Sequence, residues 1–256
     1  VLTGTAPVVA LIDTGADSAD ASVDFTGEGT NDGNGHGSRM AEIIRSTSEG
    51  NVQILSLKAI GSNGYGRVSD VVAAVRYAVM AGSDVISLSI STDETANCEG
   101  LTEAILDAIS KGIVVIAAAG NNGRDASLYV PGCIEGVITA GSCDEDGFIL
   151  AASNYGSAVD FYVPSKSTSE AAAAVCGTYC KGGMDAVAEA FDGLGRSASA
   201  ESAAVSLGSL NEGDTVCFVL PDESGYFHIA GPAIGKTIYV SNSSMGIPYR
   251  HPQGSN

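Results

Sequence analysis

Val8-Val9-Ala10-Leu11-Ile12-Asp13-Thr14-Gly15 places five apolar residues directly before a carboxylate and a turn. A continuous apolar run this short reads as a strand buried on both faces. Such strands belong to parallel sheets covered by helices. The chain beyond keeps that rhythm. Ser38-Arg39-Met40-Ala41-Glu42-Ile43-Ile44 spaces its apolar residues as a helix does. Residues 52–60 read as strand. Residues 68–80 read as helix, with Val71, Val72, Val75 and Val79 at helical intervals. Residues 84–90 are again strand. Residues 101–110 are helix, with Leu101, Ile105 and Ile109 four apart, and 113–118 and 136–140 are strands. The alternation predicts an α/β fold: a mainly parallel central sheet with helices on both faces.

Polar residues of particular chemistry stand at the edges of these elements. Asp13 ends the first strand. His36, in Asn34-Gly35-His36-Gly37-Ser38, opens the first helix. Ser167-Thr168-Ser169-Glu170-Ala171-Ala172 opens a later one, and Asn121 follows a strand in Ala117-Ala118-Ala119-Gly120-Asn121-Asn122-Gly123. Each has a plain structural reading. Asp-Thr-Gly is good turn chemistry, and Asn121 beside glycine suits a turn. His36 alone reads as a loop histidine. Ser167 and Glu170 fit a helix capping box. Together they supply a different inventory. A serine hydroxyl becomes a nucleophile when a histidine removes its proton, and a carboxylate orients that histidine. An amide donor can stabilise the resulting oxyanion. Of the three histidines, His36, His228 and His251, only His36 lies in the α/β region. Gly35 and Gly37 allow a sharp turn and a close backbone approach around it.

The order Asp, His, Ser and the flanking residues resemble the subtilisin-like (subtilase) family of serine proteases over about residues 7–190. The aspartate motif matches Ile12-Asp13-Thr14-Gly15, the histidine motif Gly35-His36-Gly37-Ser38, and the nucleophile motif Ser167-Thr168-Ser169-Glu170-Ala171. The resemblance implies Asp13 as orienter, His36 as base, Ser169 as nucleophile and Asn121 as oxyanion donor. It implies the family's three-layer fold and a serine endopeptidase acting through an acyl-enzyme. Gly64-Tyr65-Gly66 and Ser89-Ile90-Ser91 resemble the strands that sandwich an extended substrate. Ala118, Ala119 and Gly120 would line the pocket before the scissile bond, and Tyr129-Val130-Pro131-Gly132 its far rim. Such small walls imply a roomy pocket suited to large uncharged side chains. A disulfide between Cys98 and Cys133 would pin that rim. Cys176 and Cys180, four apart, are expected to pack as small apolar residues.

Departures matter too. Ser167 stands where the family has glycine, and Ala173 where it has proline. Only Ser165 to Thr168 separate Val163-Pro164 from the nucleophile, which would leave the leaving-group side of the cleft open. The truncated start and this short segment motivate an alternative: a non-catalytic peptide-binding relative.

Net charge is −18, from 12 basic and 30 acidic residues among 256. A nucleic-acid partner, which needs a basic face, is set aside. No apolar run approaches a membrane span. No signal peptide is seen, and the chain opens just before its first core strand, as a processed chain would. No cofactor or metal site is expected, with a structural calcium ion left open. Expected partners are an extended peptide or protein substrate and a removed prodomain. A secreted or cell-surface setting is expected. Residues 1–196 are read as the peptidase domain and the Ser/Ala-rich 197–206 as a linker. Residues 207–256 are read as a small β-rich module with short runs at 216–220, 226–229 and 237–240, which could instead carry a docking function.

Overall fold

The computed structural model describes residue 2, residues 5–93 and 98–195, and three strands within 217–250. Contacts divide the chain into two units, Val1–Gly195 and Arg196–Asn256.

In the first unit, seven parallel strands form one sheet. They are β1 (Val8–Asp13), β2 (Ala21–Asp24), β3 (Gln53–Lys58), β4 (Val85–Leu88), β5 (Val114–Ala118), β6 (Ile138–Cys143) and β7 (Phe161–Pro164). Their order is β2-β3-β1-β4-β5-β6-β7. From β1 the chain goes to the edge strand β2, returns to fill β3 between them, then crosses β1 and builds from β4 to the other edge. The reversal between β1 and β4 opens a crevice at the carboxyl ends of these strands, where α/β sheets bind ligands.

Four helices cover the sheet: α1 (His36–Thr47), α2 (Val68–Ala81), α3 (Glu99–Ser110) and α4 (Thr168–Phe191). One apolar cluster joins Ala10, Ile12, Leu57, Ile86 and Leu88 of the sheet to Val71 and Val75 of α2 and to Leu101 and Ile105 of α3. The other joins Val9, Leu11, Ile54 and Ile116 to Met40 and Ile44 of α1 and to Ala172 and Val175 of α4. Alternate residues of β1 thus enter opposite cores, and both faces need apolar side chains. This accounts for its unbroken hydrophobic run. Gly177 lets α1 and α4 approach closely, since a Cβ there would overlap the Ile44 carbonyl and the Thr47 hydroxyl.

The strand and helix segments expected within residues 8–140 are all present, with ends shifted by a few residues. The sequence reading did not include β2 or β7. The helix that opens at the Ser-rich segment runs on to Phe191, interrupted by non-helical backbone at Gly182 and Gly183.

The expected Cys98–Cys133 bridge is not formed in this structure. Cys98 is buried within the first apolar cluster and Cys133 packs against it. Cys176 and Cys180 pack in the second cluster, as expected.

In the second unit, β8 (Cys217–Leu220) pairs parallel with β9 (Tyr239–Asn242), and β9 pairs antiparallel with β10 (Pro248–Arg250). The run read at 226–229 and the linker at 197–206 lie outside the described residues.

Candidate active site

Asp13 ends β1 at the crevice and is 1% exposed. Its Oδ1 lies 2.7 Å from His36 Nδ1 and also accepts the Thr14 N–H at 2.7 Å. Among the described residues its Oδ2 has no hydrogen-bond partner. The Asp13 hydrogen bond raises the His36 pKa above its ordinary 6.5, against the opposing effect of burial; the charges of Asp13, Asp32 and Glu170 add to the rise.

His36 is the first residue of α1, after Gly35 with φ of +93°. Every amide from Gly35 to Ser38 has a side-chain acceptor. Asp32 Oδ1 takes Gly35 N–H at 2.8 Å, and Asp32 Oδ2 takes Ser38 N–H at 2.8 Å. Asn34 Oδ1 takes His36 N–H at 3.3 Å, and Thr14 Oγ1 takes Gly37 N–H at 2.9 Å. Helix amides without intrahelical partners are thereby satisfied. Gly37 packs so closely that a Cβ there would overlap the Gly15 carbonyl. The turn after β1 and the start of α1 are locked together, as the glycine flanks suggest.

Ser169 is the second residue of α4. Ser167 is the N-cap, and its Oγ accepts the Glu170 N–H at 3.3 Å. The Glu170 carboxylate accepts the N–H of Lys166 at 3.3 Å and pairs with Arg39 at 3.3 Å. The first turns of α1 and α4 therefore face each other across that ion pair. Ser169 Oγ donates to the Ser89 carbonyl at 3.3 Å, not to His36. Ala171, Ala172 and Ala173 are fully buried, so α4 begins under tight packing without a proline.

Asn121 follows β5. Its Oδ1 accepts the Thr168 N–H at 3.0 Å, which leaves Nδ2 as the donor beside the first turn of α4. Gly120 N–H donates to Thr168 Oγ1 at 3.2 Å. The loop is shaped from below by Asn154, which is fully buried. Its Nδ2 donates to Ala119 O at 2.8 Å, and its Oδ1 accepts the N–H groups of Asn122 and Arg124, each at 3.0 Å.

Of the expected substrate segments, Ser89 is buried against Ser169, Ile90 is half-buried and Ser91 is exposed. Thr92 pairs with Val130, joining this wall to the 129–132 rim. Ala118 and Ala119 are buried behind Gly120. Gly64, Tyr65 and Gly66 lie in a loop after β3, and Tyr65 is 80% exposed. That loop is tied to the loop before His36: Asn34 Nδ2 donates to Ser62 O at 3.1 Å. Buried Lys58 secures both, with Nζ donating to Asn31 O at 2.9 Å and lying 3.4 Å from Glu28 Oε2. Ser165, Lys166 and Glu170 line a cavity of about 360 Å³ with Asp144, Glu145 and Leu150. Its wall includes the short segment that precedes α4. Among the described residues no group of three or more His, Cys, Asp or Glu side chains is placed to hold a metal ion.

The sequence reading passed over Asp32, Asn154, Lys58 and the reciprocal role of Ser89. Asp32 carried a local signal, since an aspartate three residues before Gly35 suits an Asx-type turn. Asn154 carried none.

The subtilase family model (peptidase S8) matches residues 4–188. A thermophilic serine proteinase of Bacillus sp. (strain AK1) is 35% identical over 175 residues, 61% of this chain and 43% of the relative. Subtilisin-like protease 1 of Pseudogymnoascus destructans is 31% identical over 153 residues, 57% of this chain and 38% of the relative. The chain thus spans less than half the length of these relatives. A crystal structure of a cold-adapted subtilisin-like serine proteinase superposes with a TM-score of 0.61 at 25% identity, covering 68% of this chain and 73% of that one. With more than half its residues matched by the family model, the chain belongs to the subtilase family.

Proposed function

We propose that this chain is a serine endopeptidase that cuts an extended peptide or protein through an acyl-enzyme on Ser169. The observation that carries the reading is the 2.7 Å Asp13–His36 hydrogen bond at the strand-reversal crevice, which Ser169 also borders. Asp13 fixes the imidazole with Nδ1 protonated, so Nε2 is the basic nitrogen. On substrate binding the Ser169 hydroxyl turns from the Ser89 carbonyl to His36. Its oxygen attacks the scissile carbonyl carbon, and Nε2 takes the proton. Asn121 Nδ2 donates to the oxyanion. The amine leaves with the proton from His36, and water then cleaves the ester by the same steps in reverse. The substrate backbone pairs with 64–66 and 89–91. A secreted setting and a prodomain partner accompany this reading; a relative from Thermus is named an extracellular serine proteinase.

A second reading, a peptide-binding relative without catalysis, is favoured by the Ser169 hydroxyl lying against Ser89. A fluorophosphonate probe separates the two. Labelling of Ser169 in folded protein, absent in Ser169→Ala, is expected; folded protein that binds peptide yet stays unlabelled would favour the second reading. Product mapping on a peptide library then defines the residues accepted on each side of the bond.

A further inference from the structure

His36 stands at an awkward place for a base. It is the first residue of α1. The positive end of a helix disfavours a second positive charge, so an imidazole there resists protonation. Yet the base must accept a proton during acylation. The structure contains a compensating group. Asp32 precedes α1 and is only partly exposed, and its carboxylate accepts four hydrogen bonds. Three come from the amides of Asn34, Gly35 and Ser38, and one from the Thr14 hydroxyl at 2.8 Å. Thr14 in turn holds the Gly37 amide and follows Asp13 directly. A single carboxylate therefore ties the residue after the orienting acid to both ends of the turn that bears the base. These bonds hold Asp32 ionised, with a pKa lowered from 3.8 to about 2 despite partial burial.

We propose that Asp32 is a positioning residue for the base: it fixes the turn on which His36 stands and offsets the positive end of α1 beneath the imidazole. Asp32 touches neither substrate nor the reacting atoms. Its oxygens are spent on backbone amides and on Thr14, while Asp13 alone bonds the ring. The charged groups facing His36 are Asp13 from β1, Asp32 from the loop before α1 and Glu170 from α4, the last paired with Arg39. Removing Asp32 leaves α1's positive end opposed by two carboxylates instead of three.

The role rests on the proposed reaction, but its test has a readout that does not. Asp32→Asn keeps the volume and one acceptor oxygen. Asp20→Asn is the control. Asp20 also accepts a backbone amide, that of Ile54 at 2.8 Å, but it is exposed, pairs with Arg45 at 2.8 Å and lies away from His36. The His36 ring is titrated by NMR in wild type and both variants, assigned by its loss in His36→Gln, and fluorophosphonate labelling of Ser169 is timed. Asp32→Asn should lower the His36 midpoint by about half a unit to one unit. It should slow labelling by roughly 10- to 100-fold, as a small displacement of a catalytic group does. Asp20→Asn should shift thermal unfolding alone. If Asp32→Asn leaves the His36 midpoint at the wild-type value, or changes only stability as Asp20→Asn does, the assignment is overturned. A lowered midpoint in a protein that never labels would uphold Asp32's hold on His36 while removing the endopeptidase reading.

Discussion

Ser89 and Ser169 exchange hydrogen bonds: the hydroxyl of each donates to the backbone carbonyl of the other, both at 3.3 Å. The pair staples the end of β4 to the first turn of α4, and so sets where Ser169 stands. Ser89→Ala removes one donor and keeps the carbonyl that accepts the Ser169 hydroxyl. The expected cost is about 1 kcal/mol in urea unfolding, the usual net worth of one such bond. Ser169 should still label. Loss of all labelling in a variant that folds would show that the Ser89 hydroxyl does more than staple.

On the proposed mechanism, His36→Ala and Ser169→Ala each remove one member of a unit that works only when complete. Peptide hydrolysis should fall by roughly 10⁴-fold or more in either, and combining them should cost little beyond the larger single loss. Circular dichroism should be unchanged, because His36 is part-exposed and Ser169 is small. Additive losses in the double variant would contradict the unit.

Asn121→Ala should lower kcat by about 10²–10³ with KM nearly constant, because the oxyanion develops only in the transition state. Asn154→Ala reaches the same loop from behind. It leaves the Asn122 and Arg124 amides and the Ala119 carbonyl without their buried partner. A stability loss of about 2–4 kcal/mol is expected, together with a fall in kcat. Gly120→Ala should be worse than either. Gly120 has φ of +102°, and its Cβ would strike the Asn154 amide. Thermal unfolding beside steady-state kinetics measures all three.

The pH dependence follows from two shifts of opposite sense. His36 is raised above 6.5, chiefly by its bond to Asp13. It must be neutral to act as base, so labelling should climb with pH through a midpoint above 6.5. The stability from this shift is full below about 6.5 and is lost as pH rises through the folded pKa. Asp32 runs the other way. Its contribution is present above 3.8 and lost as pH falls toward about 2. Because Asp32 is partly exposed, screening reduces that contribution to about 1 kcal/mol. Urea midpoints at pH 2 to 5 and labelling rates at pH 5 to 9 check both. A labelling midpoint at or below 6.5 would contradict the Asp13–His36 coupling.

What could be read from sequence, and what could not, follows from how far each feature reaches along the chain. The fate of β1 is written in five neighbouring residues, because burial on both faces leaves no room for polar alternation. His36 declares its turn through the glycines on either side. β2, only Ala21-Ser22-Val23-Asp24, lies at a sheet edge, and its two alternating apolar residues are too few to declare a strand. β7 is as short and ends in proline at the opposite edge. Asn154 serves partners 30 to 35 residues away, so nothing near it reveals its task. The expected bridge from Cys98 to Cys133 came from the likeness of two loops. The same apolar cluster that brings both residues inward gives each a place without a covalent link.

Asp13 and His36 sit on the first strand and the first helix, whereas Ser169 arrives only with the last helix of the unit. A chain growing from its N-terminus therefore carries Asp13 and His36 long before Ser169 is made. Nor does adding Ser169 suffice, since its place depends on β4, on the Asn121 loop and on α4 lying against α1. On the proposed function, the attacking group would therefore be placed last, and only around a finished sheet.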